Sequence, residues 1–169
     1  VPGSDHRKPS PYAMQTFHCD HCGHLVYFEN FRCDACGHAL GYLTDVRTMG
    51  ALTPASDGLW LRAGAGAGRL RYRQCHNHSA YNVCNWMLPE QDPNSLCESC
   101  RLNEIIPALD LPQNRVSWYR MEQAKRRLIY TLSTLGLSPA SRTEDPENGL
   151  AFRFLADSVL SGRVMTGHL

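Results

Sequence analysis

The cysteine pattern limits the possible folds of this chain more than any other feature. The sequence Cys19-Asp20-His21-Cys22-Gly23-His24 recurs fourteen residues later as Cys33-Asp34-Ala35-Cys36-Gly37-His38. Two thiolates separated by two residues can bind one side of a tetrahedral ion while the chain reverses between them. A glycine follows each pair, where we expect a turn with positive φ. The repeat therefore predicts one closed four-thiolate metal site.

A second group of four cysteines follows further along the chain. Only its last two members, Cys97 and Cys100, have the C-x-x-C spacing. We predict two sites with eight ligands in total, which are Cys19, Cys22, Cys33, Cys36, Cys75, Cys84, Cys97 and Cys100. Zn²⁺ is the usual ion of structural four-thiolate sites, so we expect two structural Zn²⁺ ions. Iron stays open as an alternative at the first site.

Other uses of eight cysteines fit the pattern less well. Four disulfides would need an oxidising compartment, but the sequence shows no secretory signal. Redox chemistry at a C-x-x-C pair needs a thioredoxin-like βαβ context, which this sequence does not predict. Because reduced thiols are needed for metal binding, we expect a cytoplasmic location.

Composition predicts small modules that depend on these metal sites. The 169 residues include 13 Gly and 10 Pro, which interrupt the apolar segments. Small modules with thin cores commonly need a metal or a disulfide for stability. The formal charge is +1, and with eight thiolates and two Zn²⁺ it becomes about −3. This charge disfavours a general nucleic-acid binder, and the sequence lacks an apolar stretch of about 18–20 residues that would span a membrane.

We predict an α+β fold of small zinc-stabilised modules. Residues 1–13 are interpreted as a flexible or foreign arm. The predicted order is a zinc ribbon (14–50), a second four-cysteine zinc module (51–113), an amphipathic helix (114–137), and a linker with a C-terminal β-hairpin (138–169). Residues 58–75 predict an earlier hairpin, because charged and apolar residues alternate in Arg71-Tyr72-Arg73.

The helix is the clearest predicted element. Its apolar residues recur with a spacing of three or four, which predicts that Trp118, Met121, Leu128, Leu132 and Leu135 form its buried face. Asn114 is a candidate N-cap, and Gly136 with Pro139 predicts the end. The basic run 125–127 fits a solvated face or partners for nearby acids better than it fits a nucleic-acid site.

The sequence predicts no catalytic residue. It contains neither H-E-x-x-H nor G-x-S-x-G, and four thiolates leave a zinc ion no open position for water or substrate. Six of the eight histidines flank the predicted ligands and could replace a cysteine, but each tetrahedron is already complete. His168 has no partner that the sequence identifies.

Several segments occur in an order that resembles a known family. They are Phe17–Val26, Cys33–Gly41, Val83–Met87, Leu96–Asn103, Ala124–Tyr130, Gly149–Leu155 and Thr166–His168. The chain resembles the N-terminal part of a bacterial family of zinc-binding metallopeptidases that carries a zinc-ribbon segment. The resemblance implies a catalytic half that would follow this segment and bind a catalytic zinc through a His-Glu-x-Gly-His helix.

The resemblance implies that this chain is the structural zinc-binding portion of a metallopeptidase and is inactive alone. The implied partner is the C-terminal peptidase half or another protein. It also implies that the residues near His168 begin the peptidase-like sheet. The alternative is a free-standing zinc-ribbon adaptor that binds protein or, with less support, nucleic acid. Neither alternative identifies a substrate.

Overall fold

The computed structural model describes residues 16–64, 70–157 and 162–164. Within these ranges the strands are β1 (Phe17–His18), β2 (Leu25–Val26), β3 (Ala39–Leu43), β4 (Thr48–Pro54), β5 (Trp60–Arg62), β6 (Arg71–Gln74), β7 (Trp86–Pro89), β8 (Asn103–Ile105) and β9 (Phe152–Arg153). The helices are α1 (His76–Ser79) and α2 (Pro112–Thr134). Mixed strands, one long helix and a C-terminal strand pair confirm the predicted α+β class. No helix in the described ranges has the length and apolar character needed to span a bilayer.

Five strands, β3 to β7, form a closed barrel. Neighbouring strands are antiparallel, and the barrel closes where β3 pairs in parallel with β7, with Tyr42 opposite Trp86. The hairpin predicted near residues 58–75 is confirmed as β5 and β6. The predicted boundary between residues 50 and 51 falls inside β4, so strands from both predicted modules share one barrel.

Aromatic packing joins the barrel to its neighbours. Phe28, from the first cysteine module, lies 5.1 Å from the Tyr42 ring and 5.0 Å from the Tyr130 ring of α2, measured between ring centroids. Trp86 of β7 is fully buried and lies 4.7 Å from Tyr42. Burial of large rings supplies most of the apolar stabilisation of a small core. The ribbon, the barrel and the long helix therefore share one core.

A charged contact fixes the first cysteine module on the barrel. Asp20 Oδ1 accepts a hydrogen bond from the Ala51 amide at 2.6 Å, and Asp20 Oδ2 accepts one from Arg62 Nε at 2.7 Å. Its counterpart in the sequence repeat, Asp34, is exposed. The repeat thus places an aspartate in both turns, but the barrel gives Asp20 a role that Asp34 does not share.

Replacing Asp20 with alanine is expected to weaken the attachment of the ribbon to the barrel. Hydrogen bonds to charged groups contribute about 1.5–3 kcal/mol each. Because the side chain is partly solvated, we expect a loss of about 1–3 kcal/mol in the free energy of unfolding, measured by denaturant titration. Asp34→Ala is the matched control, with an expected change within about 0.5 kcal/mol. Equal losses in both variants would contradict the assigned role.

The long helix begins two residues before the predicted start. Pro112 occupies the first turn, where its fixed φ fits and its missing N–H costs nothing. The expectation that Asn114 caps the helix is wrong: Leu111 is the N-cap, and the Asn114 side-chain amide donates to the Ala108 carbonyl. The predicted glycine stop is confirmed: Gly136 has a φ of 76° and the Leu137 amide donates to the Leu132 carbonyl.

The orientation of α2 differs from the prediction. Trp118 is buried as expected, and Ile129 is buried as well, but Met121, Leu128 and Leu135 are 41%, 46% and 57% exposed. The buried face instead includes Glu122, Lys125 and Arg126. Apolar periodicity failed here because buried charges pair with one another and take part of the inner face.

These buried charges form two groups of hydrogen bonds and ion pairs along α2. Glu122 Oε1 accepts hydrogen bonds from Trp118 Nε1 at 3.0 Å and from Asn103 Nδ2 at 2.6 Å, and it pairs with Lys125. Lys125 also donates to Asn103 Oδ1. The second contact joins Arg126 and Arg127 to Glu29 of the first module, at 3.1 and 3.0 Å. The basic run therefore pairs with nearby acids, one of the two predicted uses.

The C-terminal strand pair joins distant parts of the chain. β9 pairs in parallel with β8, with Phe152 opposite Asn103. Lys125 Nζ lies 5.7 and 5.6 Å from the centroids of the Phe152 and Phe154 rings. This segment thus packs on α2 through Phe152, which is half-buried, and Phe154, which is buried. Most of the second predicted strand, with His168, lies outside the described residues, as does the predicted arm at 1–13.

Candidate metal centres

The first cysteine group has the geometry of a tetrahedral site. The sulfur atoms of Cys19, Cys22, Cys33 and Cys36 all lie within 4.8 Å of one another. The Cys19–Cys36 and Cys22–Cys33 sulfur separations are both 3.7 Å. A tetrahedron with zinc–sulfur bonds of about 2.3 Å has sulfur separations of about 3.8 Å. The residues present therefore fit a zinc ion.

The sequence repeat produces the same backbone geometry twice. The Cys19 amide donates to the His24 carbonyl at 2.8 Å, and the Cys33 amide donates to the His38 carbonyl at 2.9 Å. Gly23 and Gly37 each have a φ of 75°, which glycine adopts without the strain of a Cβ atom. Each turn therefore presents its two sulfurs to the shared centre, as the spacing predicts.

Backbone amides also stabilise thiolate charge at this centre. Hydrogen bonds from the Cys36 and Ala35 amides, the first being the larger effect, lower the pKa of the Cys33 thiol to about 7 despite burial. A thiol must lose its proton to bind zinc, so this shift favours binding through Cys33 near neutral pH. At Cys36, despite a hydrogen bond from the His38 amide, burial and the neighbouring sulfurs raise the pKa to about 12. The turn thus supplies both ligand geometry and part of the ligand charge.

The second group is more deeply enclosed. Cys75, Cys84, Cys97 and Cys100 are all at most 1% exposed, and their sulfur atoms lie within 4.8 Å of one another. The Cys84 and Cys97 sulfurs are 3.8 Å apart. Burial, followed by the neighbouring thiols, raises the pKa of Cys97 well above its usual range. Four buried thiols in contact are therefore costly to ionise without a cation among them.

The barrel explains why the irregular spacing of this group still makes a site. Cys75 directly follows β6, and Cys84 lies two residues before β7. Because β6 and β7 are antiparallel, with Gln74 opposite Met87, both cysteines reach the same end of the strand pair. The short helix α1 takes up four of the eight intervening residues. The Cys97-x-x-Cys100 turn then completes the group.

Backbone groups around the second centre point at its sulfurs. The Trp86 amide donates to Cys84 Sγ and the Cys97 amide donates to Cys75 Sγ, each at 3.4 Å. Such outer contacts orient ligands and tune a metal site. This centre also matches a closed zinc site, and its ligands come from three separate segments of the chain.

The flanking histidines lie beside the first sulfur cluster. The His21 and His38 rings are 3.9 Å apart, and His38 Nδ1 lies 3.4 Å from Cys36 Sγ. In the described part of the chain, two groups of Cys, His, Asp or Glu are close enough to hold a metal ion, and both consist of four cysteines.

The sequence did not predict the structural role of Asp20, because its pairing with Arg62 depends on the barrel.

The fold and the two centres agree with the family comparisons. A zinc-ribbon domain family matches residues 16–111, and a family described as "Putative zinc-binding metallo-peptidase" matches residues 114–169. The first match covers more than half of the 169 residues. The chain belongs to the zinc-ribbon family and carries two structural Zn²⁺ sites. The long helix and β9 fall within the metallo-peptidase match.

The relatives found are longer than this chain. Uncharacterized proteins of Mycobacterium bovis and Mycobacterium tuberculosis are 36% identical over 156 residues, which is 92% of this chain. The match covers 40% of their length. The chain therefore spans about two fifths of the length of these curated relatives. No solved structure matches it.

Proposed function

We propose that this chain is the structural zinc-binding portion of a zinc metallopeptidase and does not cleave peptide bonds alone. The eight cysteines of the two groups are the proposed zinc ligands, four to each ion. The observation that carries the proposal is the composition of both centres, each of which has four thiols. Four thiolates complete the tetrahedron of a zinc ion and leave no position for water. Catalytic zinc sites instead keep one position for water or substrate.

The metallo-peptidase match supports the second half of the proposal. It begins at residue 114, inside α2, whereas the zinc-ribbon match ends at residue 111. The buried pairing of α2 with the first module, through Arg126 and Glu29, gives the two matched regions a common core. We propose that the zinc modules hold α2 and β9 in place as the first elements of a peptidase-like domain. The proposed partner is therefore the remainder of such a domain.

The proposal also concerns the cellular environment. All eight cysteines are unpaired thiols, and zinc–thiolate sites persist where thiols stay reduced. A cytoplasmic location is therefore part of the proposal. Neither a membrane nor a nucleic-acid partner is proposed, because the buried basic residues Lys125 and Arg126 already pair with acids.

The proposal predicts two zinc ions per chain and no peptidase activity in the 169-residue protein. Elemental analysis of the purified protein is expected to give about two Zn²⁺ per chain. Incubation of this zinc-loaded protein with casein and a mixed peptide library is expected to leave both intact, as followed by mass spectrometry. A full-length mycobacterial relative, tested in parallel, is the comparison.

Two results would contradict the proposal in different ways. Cleavage by the homogeneous 169-residue protein, abolished by chelation and restored by zinc, would show a catalytic site within this chain. If four thiols of the zinc-loaded protein still react with a thiol reagent, one of the two cysteine groups is not a zinc site. If the full-length relative cleaves peptides and the 169-residue protein does not, the result supports the metallopeptidase assignment over the adaptor alternative.

A further inference from the structure

The two centres differ sharply in their access to solvent. At the second centre all four cysteines are buried. At the first centre Cys22 is exposed and Cys36 is partly exposed, whereas Cys19 and Cys33 are each 1% exposed. One ligand of the first centre therefore faces solvent directly, although both centres have the same four-thiol composition.

The surroundings of Cys22 extend this opening. Its neighbours His21, Gly23 and His24 are all exposed. A Cβ atom added to Gly23 would meet no atom of the described structure within 4 Å. In the described structure, Cys22 therefore lies in an exposed stretch of the turn and is open to solvent. In the described part of the chain the second centre is enclosed, because all four of its ligands are buried in a cluster with Trp86 and Leu102.

From this contrast we propose that the first centre is an oxidation-sensitive zinc site, with Cys22 as the thiolate that reacts with hydroperoxides. The second centre is a permanent structural site. The proposal goes beyond the structural role described above, and it rests on the assignment of two zinc ions. It gives the two centres different functions: one responds to peroxide and the other maintains the barrel.

The chemistry balances with a hydroperoxide as the oxidant. The Cys22 thiolate attacks one peroxide oxygen, the O–O bond breaks, and the leaving alkoxide or hydroxide takes a proton from water. Cys22 is then a sulfenic acid. The Cys33 thiolate attacks the Cys22 sulfur, the S–O bond breaks, and hydroxide leaves. The two sulfurs together lose two electrons, which reduce the peroxide.

Cys33 is the ligand placed to complete this reaction. Its sulfur lies 3.7 Å from that of Cys22, so a movement of less than about 2 Å forms a disulfide of about 2.05 Å. The disulfide removes two of four ligands, and only Cys19 and Cys36 remain. Two thiolates bind zinc much more weakly than four, so the ion leaves the first centre.

The consequence is local because the second centre holds the barrel independently. The two turns of the ribbon are fixed by their shared centre and by the contact of Asp20 with Ala51 and Arg62. Loss of the ion is therefore expected to loosen the ribbon around residues 19–38. The barrel strands β4 to β7 are expected to keep their structure.

Peroxide titration of the zinc-loaded protein tests the proposal. Hydrogen peroxide in tenfold molar excess is expected to release one of two zinc equivalents, followed with a colorimetric zinc indicator. Non-reducing peptide mapping is expected to find the Cys22–Cys33 disulfide, with the four second-centre cysteines still reduced. Reductant with added zinc is expected to restore two ions per chain. The zinc content before peroxide separately tests the two-zinc assignment.

Cys22→His provides a second test, because a Cys₃His set can still bind zinc. This variant is expected to form no disulfide at Cys33 and to release the first ion at least tenfold more slowly in peroxide. If the variant binds one ion only, the proposal is judged by whether the peptide map of the unsubstituted protein contains the Cys22–Cys33 disulfide. Simultaneous release of both ions, no release, or a disulfide that excludes Cys22 would overturn the proposal.

Discussion

Replacing Cys97 with serine is expected to remove one zinc ion and to unfold the barrel. Cys97 is 1% exposed and comes from the turn that completes the second centre. Structural zinc binding contributes about 10–16 kcal/mol in small zinc modules, whereas whole domains are stable by about 5–15 kcal/mol. The barrel strands β6 and β7 converge on this centre, so they are expected to lose their anchor with the ion.

Zinc analysis and circular dichroism measure this effect. The variant is expected to bind one ion at most and to lose the cooperative thermal transition of the barrel. Ser99→Ala is the matched control: Ser99 is equally buried between two ligands, and within the described residues its hydroxyl has no hydrogen-bond partner. Its removal is expected to change stability by less than about 1 kcal/mol. A Cys97→Ser variant with two ions and an unchanged melting temperature would refute the role of this centre.

Lys125→Met is expected to destabilise the protein by about 3–5 kcal/mol, although methionine fits an apolar helix face better than lysine does. The substitution leaves Glu122 buried and charged without its partner, which lies 2.9 Å away. It also removes the cation near the Phe152 and Phe154 rings, so β9 loses part of its contact with α2. Chemical denaturation, followed by tryptophan fluorescence, measures the loss.

Two further variants separate the charge effect from packing. Glu122→Gln combined with Lys125→Met is expected to recover much of the loss, because neither buried charge then remains unpaired. Arg120→Met on the exposed face of the same helix is expected to change stability by less than about 0.5 kcal/mol. If Lys125→Met and Arg120→Met differ by less than about 1 kcal/mol, the buried pair does not contribute as described.

The first centre shows how much local sequence can determine. Cys19 and Cys22, with Gly23 behind them, form a turn whose geometry depends on a few adjacent residues. The turn repeats because the sequence repeats, so both halves of the centre were predictable from spacing. The helix stop at Gly136 is similarly local. One glycine with positive φ turns the chain so that the Gly136 and Leu137 amides donate to the last carbonyls of the helix.

The inner face of α2 could not be predicted in this way. Periodicity assumes that buried positions are apolar. Here Glu122, Lys125 and Arg126 are buried because Asn103 and Glu29 lie opposite them. These partners are up to 97 residues away in sequence, and only the tertiary structure brings them to the helix.

The sequence by itself determined the chemistry of this protein: eight thiols in two groups, a zinc-ribbon repeat, an α+β class and one long helix. These features depend on residue identity and short-range geometry. Only the tertiary structure decided that β3 closes a barrel with β7, that Asp20 rather than Asp34 holds the ribbon, and that Cys22 is the exposed ligand. The physical reason is that burial and pairing are set by strands far apart in the chain, whose register no local pattern encodes.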